Sequence, residues 1–278
     1  MLEDKTYVPV GVVSKEYTLV QHTDVLNTAK LALNQAKIAS DKVSAELKLS
    51  QYGERMALSL YLPEEYNFDP GDNHAMALRF ECVNSVDGST RFRAMLGWFR
   101  FVCSNGLVIG VTYSDVRKRH SGDIRLEDVG KVLMSGISEA DNERNNFKCW
   151  RARVIASDHL VDWVNNDLRE RWGFKAAARA YHIAKTGRDG NIAGQYKAYT
   201  PATIPMRSEK PVPGMSGSCK NLFDLSQIMA WLAKERRDLQ AQLEWRGKVS
   251  ALMKALQEPK DSRGITSRGQ YSRCSVMK

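Results

Sequence analysis

The sequence predicts an α+β fold: an antiparallel sheet with one helix before it and a largely helical half behind it. Three observations predict it. Between residues 43 and 103, apolar and polar residues alternate in short runs, the period of a strand with one buried face. Those runs are separated by Gly-, Asp- and Asn-containing turns, the chemistry of hairpins. From residue 126 onward the apolar spacing changes to three and four, the period of helices.

Residues 1–20 read as extended chain, with YTLVQ a short strand. HTDVLNTAKLALNQAKIAS reads as a helix capped by Thr23 or Asp24, with Leu26, Ala29, Leu33 and Ala36 recurring at helical spacing. Val43, Ala45, Leu47 and Leu49 then alternate with polar neighbours. After the turn QYGE, Met56, Leu58, Leu60 and Leu62 do the same, which predicts a hairpin with one buried face. A loop, EEYNFDPGDNH, leads to Met76, Leu78, Phe80 and Cys82. NSVDGST turns the chain again. Phe92, Ala94 and Leu96 then share one face, with Arg91, Arg93 and Met95 on the other.

The stretch GWFRFVCSNGLVIG, residues 97–110, holds three aromatic residues, a cysteine and a Ser-Asn-Gly break. Phe99, Phe101 and Cys103 alternate with Trp98, Arg100 and Val102. An apolar run of this kind reads as the centre of a sheet covered on both sides. Residues 107–120 read as a further pair of short strands.

In the second half, Val129, Leu133 and Ile137 recur at helical spacing, as do Val154, Leu160, Val161 and Val164. KAAARAYHIAKTG predicts a helix that Gly187 stops. Residues 188–220 are rich in Gly, Pro and Ser and read as a long loop, functional or mobile. One or two amphipathic helices follow, with Asp224 or Ser226 as cap and Ile228, Trp231, Leu232 and Leu239 facing inward. The organisation expected is a sheet core over 1–125, helices of the same domain over 126–187, the loop 188–220, C-terminal helices over 221–257, and a basic, disordered tail over 258–278.

The 278 residues carry a formal net charge of +9, which favours an acidic partner such as nucleic acid. Five scattered cysteines form no C-x-x-C pair, and the odd count argues against a disulfide framework, so a reducing, cytoplasmic setting is expected. No apolar run nears the roughly 18–20 residues of a membrane span, and no signal-peptide pattern opens the chain. The five histidines lack metal-ligand spacing, no Gly-rich phosphate loop is present, and GMSGS lies in a Pro-rich loop rather than at a strand-to-helix elbow. No cofactor and no catalytic constellation are expected.

The cationic residues cluster more informatively. Arg91, Arg93 and Arg100 share a face if their strand is continuous. VRKRH adds Arg117, Lys118, Arg119 and His120, with Trp98 and Tyr113 close by in sequence. Arginines for phosphates beside aromatic faces for bases form the expected nucleic-acid site. The bland alternative is a solvated face whose arginine stems cover apolar surface.

These motifs resemble a known family. NSVDGST, then GWFRFVCSNGLVIG, then VRKRHSGD is similar to the pattern of domain-of-unknown-function family 932, the YfjQ/YafZ-like proteins of phages, prophages and plasmids. The pattern falls on Asn84, Ser85, Asp87, Gly88 and Ser89, on Phe99, Arg100, Val102, Cys103, Asn105 and Gly106, and on Arg117 or Arg119, His120 and Gly122. The resemblance spans roughly residues 7–256 and implies a mobile-element setting in a bacterial host cell. A helix followed by antiparallel hairpins is also broadly similar to Rad52-like annealing proteins, an analogy of fold only. Three functions stay open. One is binding or annealing of single-stranded DNA in recombination or replication, with homo-oligomer formation. Another is a non-enzymatic module that engages a host protein. The last is an enzyme using Cys103, His120 and Asp87.

Overall fold

A computed structural model describes residues 9–100, 107–118, 127–215 and 217–257. Helix α1 (His22–Gln35) forms where expected and buries Val25, Ala29, Ala32 and Leu33. Its N-cap is Gln21, with no side-chain cap bond, rather than Thr23 or Asp24. It also stops earlier than the periodicity suggests. Lys37 takes φ +58, and the Ile38 amide donates to the Leu33 carbonyl at 2.9 Å, closing the last turn and tucking Ile38 into the core.

Five strands follow, β1 (Ser44–Leu49), β2 (Arg55–Tyr61), β3 (Met76–Ser85), β4 (Phe92–Arg100) and β5 (Leu107–Lys118), and they pair in chain order. The three pairings from β1 to β4 are antiparallel and in regular register. β5 is one continuous strand, where the sequence suggested two short ones.

Opposed residues share a face. Leu58, Cys82 and Ala94 stand in one row across the sheet, and Leu60, Phe80 and Leu96 in the next. Leu78 opposes Trp98 on the same face. All these side chains are buried, each of the large ones contributing about 1.5–3 kcal/mol. The other face is polar: Ser59, Arg79, Glu81 and Arg93 lie there beside Tyr61, Met95 and Phe99. Every residue of β3 and β4 is nevertheless buried. The expected hairpin with one buried face holds for β2 alone. All six residues of β1 are exposed, because β1 is an edge of the sheet.

Helix α2 (Glu127–Ala152) buries Val129, Val132 and Leu133. Gly136 lets it approach β4: a Cβ there would stand 2.4 Å from Leu96 Cδ2.

Val154, expected in a helix, is extended, 79% exposed and bridged to Asn221. Helix α3 (Ser157–Trp163) then passes through a single π turn (Val164–Leu168) into α4 (Arg169–Trp172), burying Leu160, Trp163, Val164, Leu168 and Trp172. Helix α5 (Phe174–Thr186) ends as its sequence predicts: Gly187 takes φ +70 and its amide donates to the Ile183 carbonyl at 2.7 Å.

The expected long loop is in part a hairpin. β6 (Arg188–Ile192) pairs antiparallel with β7 (Met206–Pro211), with an irregularity at Asp189/Gly190. Its sequence hides it because the residues are charged and mostly exposed, so no apolar alternation marks the strands. Helices α6 (Leu222–Lys234) and α7 (Leu239–Gln257) complete the fold. The α6 cap is Asn221, one turn ahead of the expected residues: its Oδ1 accepts from the Asp224 amide at 2.9 Å, while Asp224 Oδ2 accepts from the Lys220 amide. Ile228, Trp231 and Leu232 face inward as expected; the Leu239 side chain and the tail 258–278 lie outside the described residues.

The chain divides into two compact units, Met1–Phe101 with Gly110–Glu143, and Val102–Ile109 with Arg144–Lys278. Among the described residues, no helix is long and apolar enough to cross a membrane.

Candidate nucleic-acid interface

The Asn-Ser-Val-Asp-Gly-Ser turn is built as a clamp. Asn84 is fully buried at the end of β3, and its Nδ2 donates to the Val20 carbonyl at 2.8 Å and to His22 Nδ1 at 3.0 Å. That makes His22 Nε2 the protonated nitrogen, and it donates to the Gly53 carbonyl at 2.9 Å. Ser85 Oγ donates to the Thr90 carbonyl and accepts from the Thr90 amide, bridging the turn. Asp87 Oδ1 accepts from the Ser89 amide and hydroxyl at 2.9 and 2.6 Å, and Gly88 takes φ +78. Burial pushes the Asp87 carboxyl up, but the Ser89 hydrogen bonds and the charge of Arg55 outweigh it and hold the carboxyl below its usual range. A carboxylate held ionised and bonded in this way fixes a turn.

The neighbouring cations serve the same scaffold. β4 is continuous, so Arg93 and Arg100 fall on opposite faces instead of the shared one expected from sequence. Arg100 is 1% exposed and is ion-paired to Asp72; Arg93 is also buried. Trp98 is closed in against Phe68, its ring centroid 5.9 Å away, and offers no face to a base. Arg91 is half-buried just ahead of β4. Phe99 is buried, its ring 4.9 Å from the Arg79 guanidinium. Tyr113, Arg117 and Lys118 lie on β5, whose side chains are outside the described residues, as are Cys103, Asn105, Gly106, Arg119 and His120 altogether.

Sequence reasoning missed the buried pair Arg79–Glu81, 2.8 Å apart on β3. Polar residues alternating with apolar ones read as a solvated face, and nothing local to them says that the second face is covered.

The charge balance points elsewhere in the chain. Residues 1–143 hold 16 Lys and Arg against 20 Asp and Glu, whereas residues 144–257 hold 20 against 10. In the second unit, cations sit beside aromatic rings. Lys210 Nζ lies 4.9 Å from the Trp231 ring and Lys234 Nζ 5.7 Å from it. Arg236 covers Trp245 at 4.4 Å, and Trp245 stacks on Trp172 with centroids 4.3 Å apart. Arg188 and Arg207 project from the β6–β7 hairpin, and Tyr196 and Tyr199 are 51% and 42% exposed in the loop between its strands. Lys210 is also tied to Glu235 at 3.0 Å.

The hairpin is anchored from below by a buried network. Asp189 accepts from Arg179 through both carboxylate oxygens, from Trp231 Nε1 at 2.8 Å and from the Gly190 amide at 2.8 Å. Burial pushes the Asp189 carboxyl up, but these bonds and the Arg179 charge carry it below its usual range.

Among the described residues, a serine and a histidine that could act together meet at His182 Nε2 and Ser208 Oγ, 2.9 Å apart. Asp189, which would orient the imidazole, is hydrogen-bonded to Arg179 and Trp231 instead. Burial lowers the His182 pKa. Burial also pushes the Cys219 thiol up to about 12 and raises Cys82, so neither supplies a thiolate near neutral pH. Among the described residues, no group of three His, Cys, Asp or Glu is placed to hold a metal.

The chain is similar over 65 residues to two proteins of Escherichia coli (strain K12). It is 37% identical to UPF0380 protein YfjQ and 45% identical to UPF0380 protein YafZ. Each match spans 23% of this chain and 24% of the relative, so it covers about a quarter of the length of either. No solved structure matches. The sequence pattern of the domain of unknown function DUF932 matches residues 9–265, which include every described residue, and the chain therefore belongs to the DUF932 family.

Proposed function

We propose that this protein binds nucleic acid, single-stranded DNA first, and that the basic second unit makes the contact. The observation that carries the reading is the segregation of charge: an excess of ten cations over residues 144–257 against a net acidic first 143. A patch of Lys and Arg neutralises phosphates whatever the sequence, and aromatic rings beside it suit unpaired bases. Arg188, Arg207, Lys210, Arg236 and Arg237 are exposed and supply the phosphate contacts; Tyr196 and Tyr199 supply the stacking faces. The resemblance to phage and plasmid proteins supports a role in strand binding or annealing on a mobile element.

The test is a titration of the purified chain against fluorescent single- and double-stranded DNA at two salt concentrations. The expected result is tighter binding to the single strand, weakening steeply with salt. Replacing Arg207, Arg236 and Arg237 by Gln weakens binding and flattens the salt slope by about one per lost phosphate contact. Absence of binding at low salt, or binding indifferent to those changes, overturns the reading and leaves a protein partner as the function to pursue.

A further inference from the structure

The outer edge of β1 carries a second message, independent of the basic unit. The Ser50 amide donates to the Arg55 carbonyl at 3.1 Å, and on β2's other side the Leu62 amide donates to the Leu78 carbonyl at 2.9 Å. In an antiparallel ladder the residues bonded to a given neighbour alternate. With the β1–β2 register, Ser44, Glu46, Lys48 and Ser50 therefore turn their backbone groups toward β2. Ala45, Leu47 and Leu49 turn theirs outward, at the end of the sheet order. On the sheet's apolar face, Leu47 and Leu49 are 48% and 55% exposed. On the opposite face, the exposed side chains of Glu46 and Lys48 pair with each other at 2.9 Å.

We propose that this edge pairs with β1 of a second copy of the chain, antiparallel about a two-fold axis through Leu47, joining two five-stranded sheets into one. The register follows from the outward backbone groups and from charge. Two-fold symmetry makes the strands antiparallel and the contact self-complementary. Centring on Leu47 sets Leu47 against its copy, and Ala45 against Leu49 at both ends. All are outward-facing residues, so three residue pairs exchange about six backbone hydrogen bonds. The same register sets Glu46 opposite Lys48 in both directions, at non-hydrogen-bonded positions where side chains approach most closely. Shifting the centre to Glu46 opposes two glutamates, and shifting it to Lys48 opposes two lysines. The charges thus select one register and reject its neighbours, which is how an exposed edge avoids indiscriminate pairing. Burial of the four exposed leucines on the apolar face drives the association.

Sedimentation velocity on the full chain tests this, with circular dichroism confirming that each variant is folded. The wild type is expected to dimerise with concentration. Glu46→Lys sets Lys against Lys twice and raises the dimer dissociation constant by about tenfold or more. The double change Glu46→Lys with Lys48→Glu restores opposite charges in the same register and returns the dimer. A wild type that stays monomeric at every concentration, a dimer that Glu46→Lys leaves intact, or one that the double change fails to restore overturns the proposal. DNA titrations do not enter these outcomes, so this assignment and the nucleic-acid reading fail separately.

Discussion

Replacing Asp189 by Ala tests whether the β6–β7 hairpin is held by its buried carboxylate. The carboxylate is 4% exposed and takes bonds from Arg179, Trp231 and the Gly190 amide. Its loss leaves the half-buried Arg179 side chain without the carboxylate it is bonded to, and a buried indole N–H without its acceptor. Breaking one side of a buried pair costs about 3–5 kcal/mol. The partial exposure of Arg179 places the expected loss near the lower end, about 3 kcal/mol. At about 2–4 °C per kcal/mol, the melting temperature falls by roughly 6–12 °C. Scanning calorimetry of the full chain measures it. The pH dependence gives a second reading. The folded carboxyl titrates below the unfolded value of about 3.9, so its contribution is complete above that pH and is lost as pH falls through the folded value. The gap between wild type and variant is therefore widest near neutral pH and closes in acid. A shift under about 1 °C at neutral pH, or a gap that widens in acid, refutes the reasoning.

Other predictions follow from the first unit and from the thiols. Arg100→Met breaks the buried pair with Asp72 and lowers stability by about 3 kcal/mol, yet leaves the DNA affinity of the folded protein within about twofold; denaturant titration and fluorescence binding read the two effects. Gly136→Val drives side-chain atoms into Leu96 and costs about 1–3 kcal/mol in the same denaturation assay. Asn84→Ala removes the donor shared by Val20 and His22 and costs about 1–3 kcal/mol, while binding titrations stay unchanged. Cys219, with its thiol raised to about 12, reacts with a thiol reagent at pH 8 far more slowly in the native chain than after unfolding.

The sheet was legible because its signals are local. Leu58, Phe80 and Leu96 fall on alternating positions, and Asp87-Gly88 announces the turn between β3 and β4 by its own chemistry. What stayed hidden depended on distant partners. The apolar run of β4 reads as the centre of a sheet, yet within it Trp98 and Arg100 suggest an exposed site, because a cation beside a ring reads as a binding pair. The partners that turn them inward, Asp72 and Phe68, stand more than twenty residues earlier in the chain. The β6–β7 hairpin was invisible for a related reason. Its strands are stabilised by one buried acid reaching Arg179 and Trp231, and no periodicity encodes a single anchor. The charge segregation was readable from the start, but it emerges only when the chain is counted in halves, and those halves are defined by the fold.

The π turn at Val164–Leu168 has a consequence for how this chain tolerates length changes. Leu160, Val164, Leu168 and Trp172 recur every four residues, and in an unbroken α-helix such a row drifts about 40° per step around the axis. One wider turn winds the row back, which keeps all four side chains inside and Trp172 flat against Trp245. Winding Val164–Leu168 as ordinary α-helix with every residue kept would swing everything after it by about 100°, whereas deleting one residue there would let a regular helix hold the same face. The irregular turn thus absorbs one extra residue: relatives of this chain that keep the tryptophan stack are expected to carry the turn and that residue together or to lack both.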